Sequence, residues 1–323
     1  VGGVMGAGIA AAGFSAVNWI TMSKIAASWV ISPVLGGLIA ALFLWLIKSR
    51  IIYQSDKIAA ARKWVPILIA IMAGAFASYL ALKGLKKVIK IDIQTAIIIG
   101  ALIGIVTWAI TKPIITKQSV GMENRNKSLK QLFNIPLIVS AALLSFAHGA
   151  NDVANAVGPL AAIVQASFSG EYVTAISIPL WVMVIGAAGI SFGLFLFGPK
   201  LIRVVGNQIT KLNQMRAYCV ALSAAITVIV ASWLGLPVSS THIAVGAVFG
   251  VGFFREWDTA RRMKFAKLSS DKNKLVVAKE ERARRKLVRR SQFMSIIAAW
   301  IITVPSAAFI SGIIYSAIVF SMG

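Results

Sequence analysis

A short polar stretch inside an otherwise apolar run carries the groups best suited to chemistry. It holds one carboxylate, Asp152, together with two amides, Asn151 and Asn155. If this stretch is helical, the two amides share a face at i and i+4, and the carboxylate lies beside them. A carboxylate at the centre of a membrane span costs about 2.5–3.5 kcal/mol on insertion scales, which indicates a functional role. The oxygens suit a small cation, and the amide N–H groups suit the oxygens of an anion.

A second polar stretch follows a glycine and a proline later in the chain. Gly235 and Pro237 interrupt an apolar run. The polar residues that come next are Ser239, Ser240, Thr241 and His242. Serine and threonine cap helix starts, where backbone N–H groups and the positive end of the helix dipole attract anions. The pattern predicts an anion site at the start of a helix.

Other interpretations of these residues are weaker. The polar groups could join helices to one another, or could only cap a helix. A metal site at His148 and Asp152 has two ligands in sequence, fewer than metal sites use, so we predict no metal. A Ser-His-Asp hydrolase is disfavoured because Ser240 and His242 are too close in sequence to face one another on a helix. The two histidines are candidates for supporting roles.

The composition assigns both stretches to a membrane protein. Of 323 residues, 58% are hydrophobic and 13% are charged, and the mean hydropathy is +0.83. Soluble domains carry about 25% charged and about 45–50% apolar residues. The single cysteine, Cys219, excludes an intrachain disulfide. These values exclude a soluble enzyme, a disordered chain and a disulfide scaffold, and they predict an all-α polytopic membrane protein.

Uncharged runs near the length of a bilayer-crossing helix predict eight spans. They are Ile25–Ile47, Trp64–Leu82, Ile93–Thr111, Leu132–Gln165, Thr174–Phe197, Ala217–Leu234, Val238–Phe254 and Gln292–Phe320, with Gly2–Val17 as the tail of another. Two regions, Leu132–Gln165 and Leu234–His242, combine polar residues with glycine or proline. We expect helices interrupted at the membrane midplane in both.

Four basic segments predict the orientation of the chain. Basic segments one to four are residues 48–63, 112–130, 200–216 and 255–290, and the last holds 14 basic and 5 acidic residues. Because Lys and Arg accumulate in cytoplasmic loops, these segments are predicted to be cytoplasmic and the C-terminus outside. This explains the net charge of +23 without a nucleic-acid partner. One basic stretch, Lys83–Asp92, does not fit the alternation.

An internal repeat links the two ends of the chain. Val1–Gly8 matches Val245–Gly252 at five of eight positions, and Ala27–Ser32 resembles Ala298–Thr303. The predicted orientation places the connection between the matched segments outside in one copy and inside in the other. Such inverted-topology repeats are typical of secondary transporters. The counterparts of the two polar stretches would precede Val1, so we expect a first repeat that is incomplete in this chain.

The repeat also suggests a domain organisation. Residues 1–111 hold the remainder of the first repeat with its connecting spans. Residues 112–131 form a basic cytoplasmic linker. Residues 132–323 form the second repeat, which includes the basic loop 255–290. This division follows the positions of the matched segments and of the basic residues.

Both polar stretches resemble the PiT-type inorganic phosphate transporter family, the sodium- or proton-coupled phosphate permeases. Its pattern is a Gly-Ala-Asn-Asp-x-x-Asn-Ala motif in each half and a later Pro-x-Ser-Ser/Thr-Thr-His motif, which correspond to Gly149–Ala156 and Pro237–His242. The resemblance implies that Asn151, Asp152 and Asn155 help to bind phosphate and the coupling cation. It implies that Ser239, Ser240 and Thr241 bind phosphate.

The resemblance implies a transporter and not an enzyme. The expected function is symport of inorganic phosphate with sodium or protons by alternating access, in a multi-pass protein of the cell (inner) membrane. No cofactor is expected besides the coupling cation, and a homo-oligomer is left open. The alternatives are an anion channel, a permease for another anion such as sulfate, and a membrane-embedded hydrolase. The absence of the first copy of both motifs departs from the family pattern.

Overall fold

Every element in the described residues is helical. The computed structural model describes residues 1–83, 92–169, 178–203, 212–234, 238–268 and 290–322. The α-helices in these ranges are α1 Gly2–Ala12, α2 Trp19–Ile47, α3 Lys57–Lys83, α4 Ile93–Gln118, α5 Asn126–Leu132, α6 Asn134–Ser169, α7 Leu180–Arg203, α8 Gln214–Trp233, α9 Ser240–Leu268 and α10 Arg290–Met322. A 3-10 turn at Phe14–Ala16 precedes α2, and a π-helical turn at Lys48–Ile52 extends it.

Seven helices of the described part are long and apolar enough to cross a membrane. They are α2, α3, α4, α6, α7, α8 and α10. Seven of the eight predicted spans coincide with them, which confirms the prediction of an all-helical multi-pass protein. The eighth, Val238–Phe254, falls in α9, whose apolar part ends at Arg255. Large apolar side chains such as Phe195 and Phe309 are exposed, as a lipid-facing surface requires.

Short polar side chains fix where several helices begin. The Asn18 side chain accepts a hydrogen bond from the backbone N of Thr21 at 3.0 Å, at the start of α2. Asp92 accepts from the backbone N of Thr95 at the start of α4. These caps pair N–H groups that the first helical turn leaves without partners. The hydrogen bonds from Thr95 lower the pKa of Asp92 below its ordinary value.

The chain forms two compact units. Unit one contains α1, the start of α2, α6 from Gly149 onward, α7 and α10. Unit two contains α2 from Ser28 onward, α3, α4, α5, α6 up to His148, α8 and α9. The sequence-based division at residues 111 and 131 stays a prediction.

One of the two predicted helix interruptions is wrong. Residues 134–169 form one continuous helix, α6, so the polar stretch around Gly149 does not break it. A helix pairs all its internal backbone groups within the segment, which the membrane interior requires, and glycine keeps the N–H that this pairing needs. At the other predicted interruption, α8 ends at Trp233 and α9 begins at Ser240, so the described Leu234, Val238 and Ser239 lie in neither helix. Residues 235–237 lie outside the described residues, as does most of Lys83–Asp92.

In unit one, α1 packs closely on α10. A methyl group at Gly2 would overlap the backbone of Val304, and one at Gly6 would overlap the backbone of Ala308. Glycine at both positions therefore allows the two backbones to approach closely. Small residues at such contacts are typical of helices packed within membranes.

In unit two, α9 packs closely on α2. A methyl group at Gly246 would overlap the backbone of Pro33, and one at Gly250 would overlap the backbone of Gly37. The first sequence match pairs Gly2 with Gly246 and Gly6 with Gly250. The second match begins at Ala27 and Ala298. If it is continued without gaps, it pairs residue 33 with residue 304 and residue 37 with residue 308. The two helix pairs therefore meet at positions that the sequence match pairs with one another, in the same order.

Parts of three basic segments meet at one end of unit two. Lys48 Nζ lies 2.6 Å from the Asp258 carboxylate, which joins basic segments one and four. Arg62 Nε donates to Ser119 Oγ at 2.6 Å, which joins basic segments one and two. The helices therefore bring regions that are far apart in sequence to the same end of the unit.

Candidate functional site

The polar stretch of α6 forms one face of a regular helix. At 3.6 residues per turn, positions 151, 152 and 155 lie within a stripe about 100° wide. The predicted i, i+4 relation between positions 151 and 155 is therefore confirmed at the level of the backbone. The opposite face packs on α7, where Val157 and Ala161 are buried against Val182. A methyl group at Gly186 of α7 would contact Val157, so glycine there lets the two helices approach.

The α6 polar face differs in exposure along its length. Asn155 is exposed and Asp152 is half-buried, whereas the Asn151 side chain lies outside the described residues. Asp152 lies within the candidate span Asn134–Phe168. A carboxylate and an amide at that depth need water, a ligand or polar protein groups around them.

The start of α9 is capped as the sequence predicts. Ser239 Oγ accepts a hydrogen bond from the backbone N of His242 at 3.3 Å, and the Ser239 carbonyl accepts from the backbone N of Ile243 at 3.1 Å. The Ser240 side chain is fully buried, whereas Thr241 is exposed. The start of a helix of this length presents N–H groups and the positive end of its dipole. Among the three hydroxyls, that of Thr241 is therefore the most accessible to a ligand.

An apolar cluster holds the start of α9 in place. Ile243 of α9 and Val238 before it are buried with Ala147 of α6 and with the α8 residues Ala224 and Val228. Ile243 also lies against Gly36 of α2, where a methyl group would meet it at 3.0 Å. His148 follows Ala147 directly and is half-buried, as is His242. The cluster therefore brings the predicted supporting His148 into the same unit as the α9 start.

The predicted site residues fall into two groups. Asn151, Asp152 and Asn155 belong to unit one. His148 and Ser239–His242 belong to unit two. The described residues contain no group of three or more His, Cys, Asp or Glu side chains that could hold a metal ion. The donors present are thus hydroxyls, amides, backbone N–H groups and one carboxylate.

The sequence interpretation missed a polar cluster around Asp258. The sequence predicts basic segment four to be a cytoplasmic loop over residues 255–290. Its first residues instead continue α9, and Asp258 binds Lys48 and Tyr53 of basic segment one. The available signal was the helical spacing of Asp258, Arg261 and Arg262, which places three charges on neighbouring turns.

The fold and these polar positions define a class of protein. Helices that cross a membrane and carry a carboxylate, amides and a capped helix start within or beside their spans are typical of membrane transport proteins. The exposed apolar surface and the lack of any strand in the described residues agree with that class.

Comparison with known proteins identifies the family. Residues 1–311 match the family described as "Phosphate transporter family". A protein of Helicobacter pylori (strain J99) named "Putative phosphate permease" is 45% identical over 371 residues, which cover 99% of this chain and 70% of that protein. A similarly named protein of Pyrococcus furiosus is 31% identical, over 100% of this chain and 71% of its own length. The chain belongs to the phosphate transporter family.

A solved structure supports the same assignment. The protein described as "The sodium-dependent phosphate transporter" matches with a TM-score of 0.79 and 31% identity, over 99% of this chain and 72% of its own. The family resemblance carried by the two motifs is therefore confirmed. The chain is a phosphate transporter of the membrane and not an enzyme.

Proposed function

We propose that the protein carries inorganic phosphate across the membrane together with a cation, by alternating access. The observation that carries this proposal is the polar face of α6, where Asp152 and Asn155 remain accessible inside a candidate span. Moving one uncompensated charge against a membrane potential costs about 2.3 kcal/mol per 100 mV. A cation that travels with the phosphate anion reduces the net charge that is moved across the membrane. Asp152 provides a ligand for that cation.

The two polar groups have complementary chemistry in this proposal. The Asp152 carboxylate binds the coupling cation, with amide oxygens of Asn151 and Asn155 as further ligands. The start of α9 binds phosphate through its N–H groups and the hydroxyls of Ser239, Ser240 and Thr241. Ser239 Oγ already accepts one backbone hydrogen bond, and its hydroxyl proton is still able to donate. His148 and His242 support these elements.

The equivalent helix pairs support an inverted-topology repeat. The α1–α10 and α2–α9 pairs meet at matching positions, which is the relation expected between two halves with a common ancestor and a common packing. The meeting of basic segments at one end of unit two supports their common location on the cytoplasmic side. The C-terminus then lies on the outer side of the cell membrane.

Sodium is the coupling cation that we propose over protons. A sodium-dependent phosphate transporter is 31% identical over nearly the whole chain, which supports this choice. Cells that express the protein as its gene encodes it are expected to accumulate labelled phosphate only in sodium medium. A proton ionophore should leave the sodium-dependent part in place. Uptake that persists in sodium-free medium and collapses with the ionophore would identify protons instead.

The same assay separates the alternatives. A symporter accumulates phosphate above the level set by its own electrochemical gradient, whereas a channel only equilibrates it. A tenfold excess of sulfate should leave uptake unchanged if phosphate is the preferred anion. Equilibration without accumulation would favour the channel, and strong competition by sulfate would favour a general anion permease.

Removing the Thr241 hydroxyl should weaken phosphate binding more than cation binding. The Thr241→Val variant keeps the shape of the side chain and loses its donor. A hydrogen bond to a charged group is worth about 1.5–3 kcal/mol, so we expect the half-saturating phosphate concentration to rise about ten- to hundredfold. The half-saturating sodium concentration should change far less. Ser240→Ala is expected to have a smaller direct effect, because that side chain is fully buried.

The matched control for Thr241→Val is Ser316→Ala on α10. The Ser316 hydroxyl donates to the Gly312 carbonyl of its own helix at 3.0 Å and belongs to neither polar group. This variant should transport normally. If Thr241→Val shifts the sodium dependence and leaves the phosphate dependence unchanged, the assignment of the two groups is reversed.

A further inference from the structure

A cavity of about 260 Å³ lies at the end of unit two where the basic segments meet. It is formed between the end of α2 with its π-helical turn and the second half of α9. Much of its wall is aromatic, with rings from both helices: Trp45, Tyr53, Phe254 and Trp257. The charged groups at this wall are Lys48, Asp258, Arg261 and Arg262. No residue of this cavity belongs to the two polar groups proposed for transport.

One carboxylate in the cavity wall is neutralised within the protein. Asp258 Oδ2 accepts hydrogen bonds from Lys48 Nζ and Tyr53 Oη, each at 2.6 Å. Burial by itself would raise the pKa of Asp258, but these hydrogen bonds and the charges of Lys48 and Arg262 outweigh it and lower the pKa. Asp258 therefore stays ionised at neutral pH and holds the π-helical turn against α9.

Two arginines make the cavity cationic. Arg261 lies over the Trp257 ring at 5.3 Å and Arg262 over the Tyr53 ring at 3.9 Å, measured from the guanidinium carbon to the ring centroid. Both arginines are exposed. Because Lys48 and Asp258 compensate each other, the wall carries a net charge of two positive. The attraction between each guanidinium and its ring positions the charge at the cavity wall, and the planar fork of a guanidinium fits a phosphate.

The cavity lies where both helices change from apolar to charged. Trp45 is near the end of the α2 span, and Trp257 follows the last apolar residues of α9. Tryptophan and tyrosine are enriched where a protein meets the interface between lipid chains and headgroups. A ligand here can place an anionic group beside the arginines and an apolar group against the rings.

We infer that this cavity binds an anionic phospholipid, with the headgroup phosphate at Arg261 and Arg262 and the glycerol and first acyl carbons against Trp45 and Trp257. Basic pockets between membrane helices are suited to such headgroups. A soluble anion would leave the aromatic wall unused. A neighbouring cavity of about 360 Å³ differs: it includes Arg50 and Lys63 together with the polar residues Gln54, Ser55 and Asp56.

The test measures lipid retention by the purified protein. The protein, as its gene encodes it, is equilibrated in detergent with equal amounts of phosphatidylglycerol and phosphatidylcholine, and the bound lipids are counted by native mass spectrometry. We expect phosphatidylglycerol to be retained in clear preference. The Arg261→Gln, Arg262→Gln double variant should bind it about thirtyfold more weakly, since each basic residue near a membrane surface contributes a factor of about five.

The Arg50→Gln variant is the matched control. Arg50 lies over the Trp64 ring at 5.3 Å, is close in sequence to the cavity and belongs to the neighbouring one. This variant should retain phosphatidylglycerol as the wild type does. The Arg261→Lys, Arg262→Lys double variant keeps both charges without the planar fork, and its affinity should lie between those of the wild type and the glutamine variant.

Three results would overturn the inference. The first is equal retention of the two lipids by the wild type. The second is equal loss of phosphatidylglycerol in Arg50→Gln and in the double glutamine variant, which would indicate a general effect of surface charge. The third is displacement of phosphatidylglycerol by an equal concentration of glycerophosphoglycerol, its deacylated headgroup, which would assign the cavity to soluble phosphate compounds. Thermal unfolding of each variant shows that the comparison is made on folded protein.

Discussion

The Asp152→Asn variant is expected to lose phosphate uptake while it reaches the membrane at nearly normal levels. Asp152 is the one acidic residue of the chain that falls within the seven candidate spans found in the described residues. Asparagine has the same shape and fits the same helix, but it carries no charge to bind a cation. Taking the loss of this charged partner to be of the same order as the loss of a hydrogen bond to a charged group, about 1.5–3 kcal/mol, uptake at low sodium should fall about ten- to hundredfold.

Asp92→Asn is the matched control for this variant. Asp92 caps α4 through Thr95, outside the candidate spans, and asparagine caps helices about as well as aspartate. Uptake by Asp92→Asn should remain close to wild type at equal protein level. Labelled phosphate uptake by Asp152→Asn above half of the wild-type rate would contradict the role assigned to this carboxylate.

The helices could be predicted from the sequence because hydropathy determines them. A long uncharged run in lipid has to pair its own backbone groups, and a helix does so whatever the side chains are. For the same reason the polar stretch around Gly149 stays within α6, although polar residues and glycine suggested a break there. The outcome differs after α8, which ends at Trp233, because the capping serine Ser239 precedes a new helix that begins at Ser240.

The two polar motifs could be recognised in the sequence, but the accessibility of their side chains could not. Ser240 and Thr241 are neighbours with similar hydroxyls, yet one is fully buried and the other exposed. That difference arises from the apolar cluster around Ile243, which depends on helices more than ninety residues apart in sequence. The pairing of Lys48 with Asp258 also depends on tertiary structure, because 210 residues separate them.

The repeat offers the sharpest test of the fold, because it predicts that two distant glycines have the same role. Gly6 of α1 and Gly250 of α9 occupy matching positions, and a methyl group at either would overlap the backbone of the helix beside it. We expect Gly6→Val and Gly250→Val each to destabilise the protein severely. Overpacking costs about 1–3 kcal/mol where side chains can yield, and more is expected here because the obstacle is backbone.

Gly3→Val and Gly8→Val provide the matched controls on the same helix as Gly6. A methyl group at either position meets no atom of the described residues within 4 Å. These variants carry the same change in helix propensity without the overlap, so they should purify as a single species with a melting temperature near that of the wild type. Gly6→Val and Gly250→Val should instead give little monodisperse protein in detergent and melting temperatures lowered by similar amounts. The contrary result is that Gly6→Val behaves like Gly3→Val while Gly250→Val fails to fold. That result would show that the close approach of α1 to α10 contributes less to stability than the close approach of α9 to α2, and the two helix pairs would not be equivalent in energy.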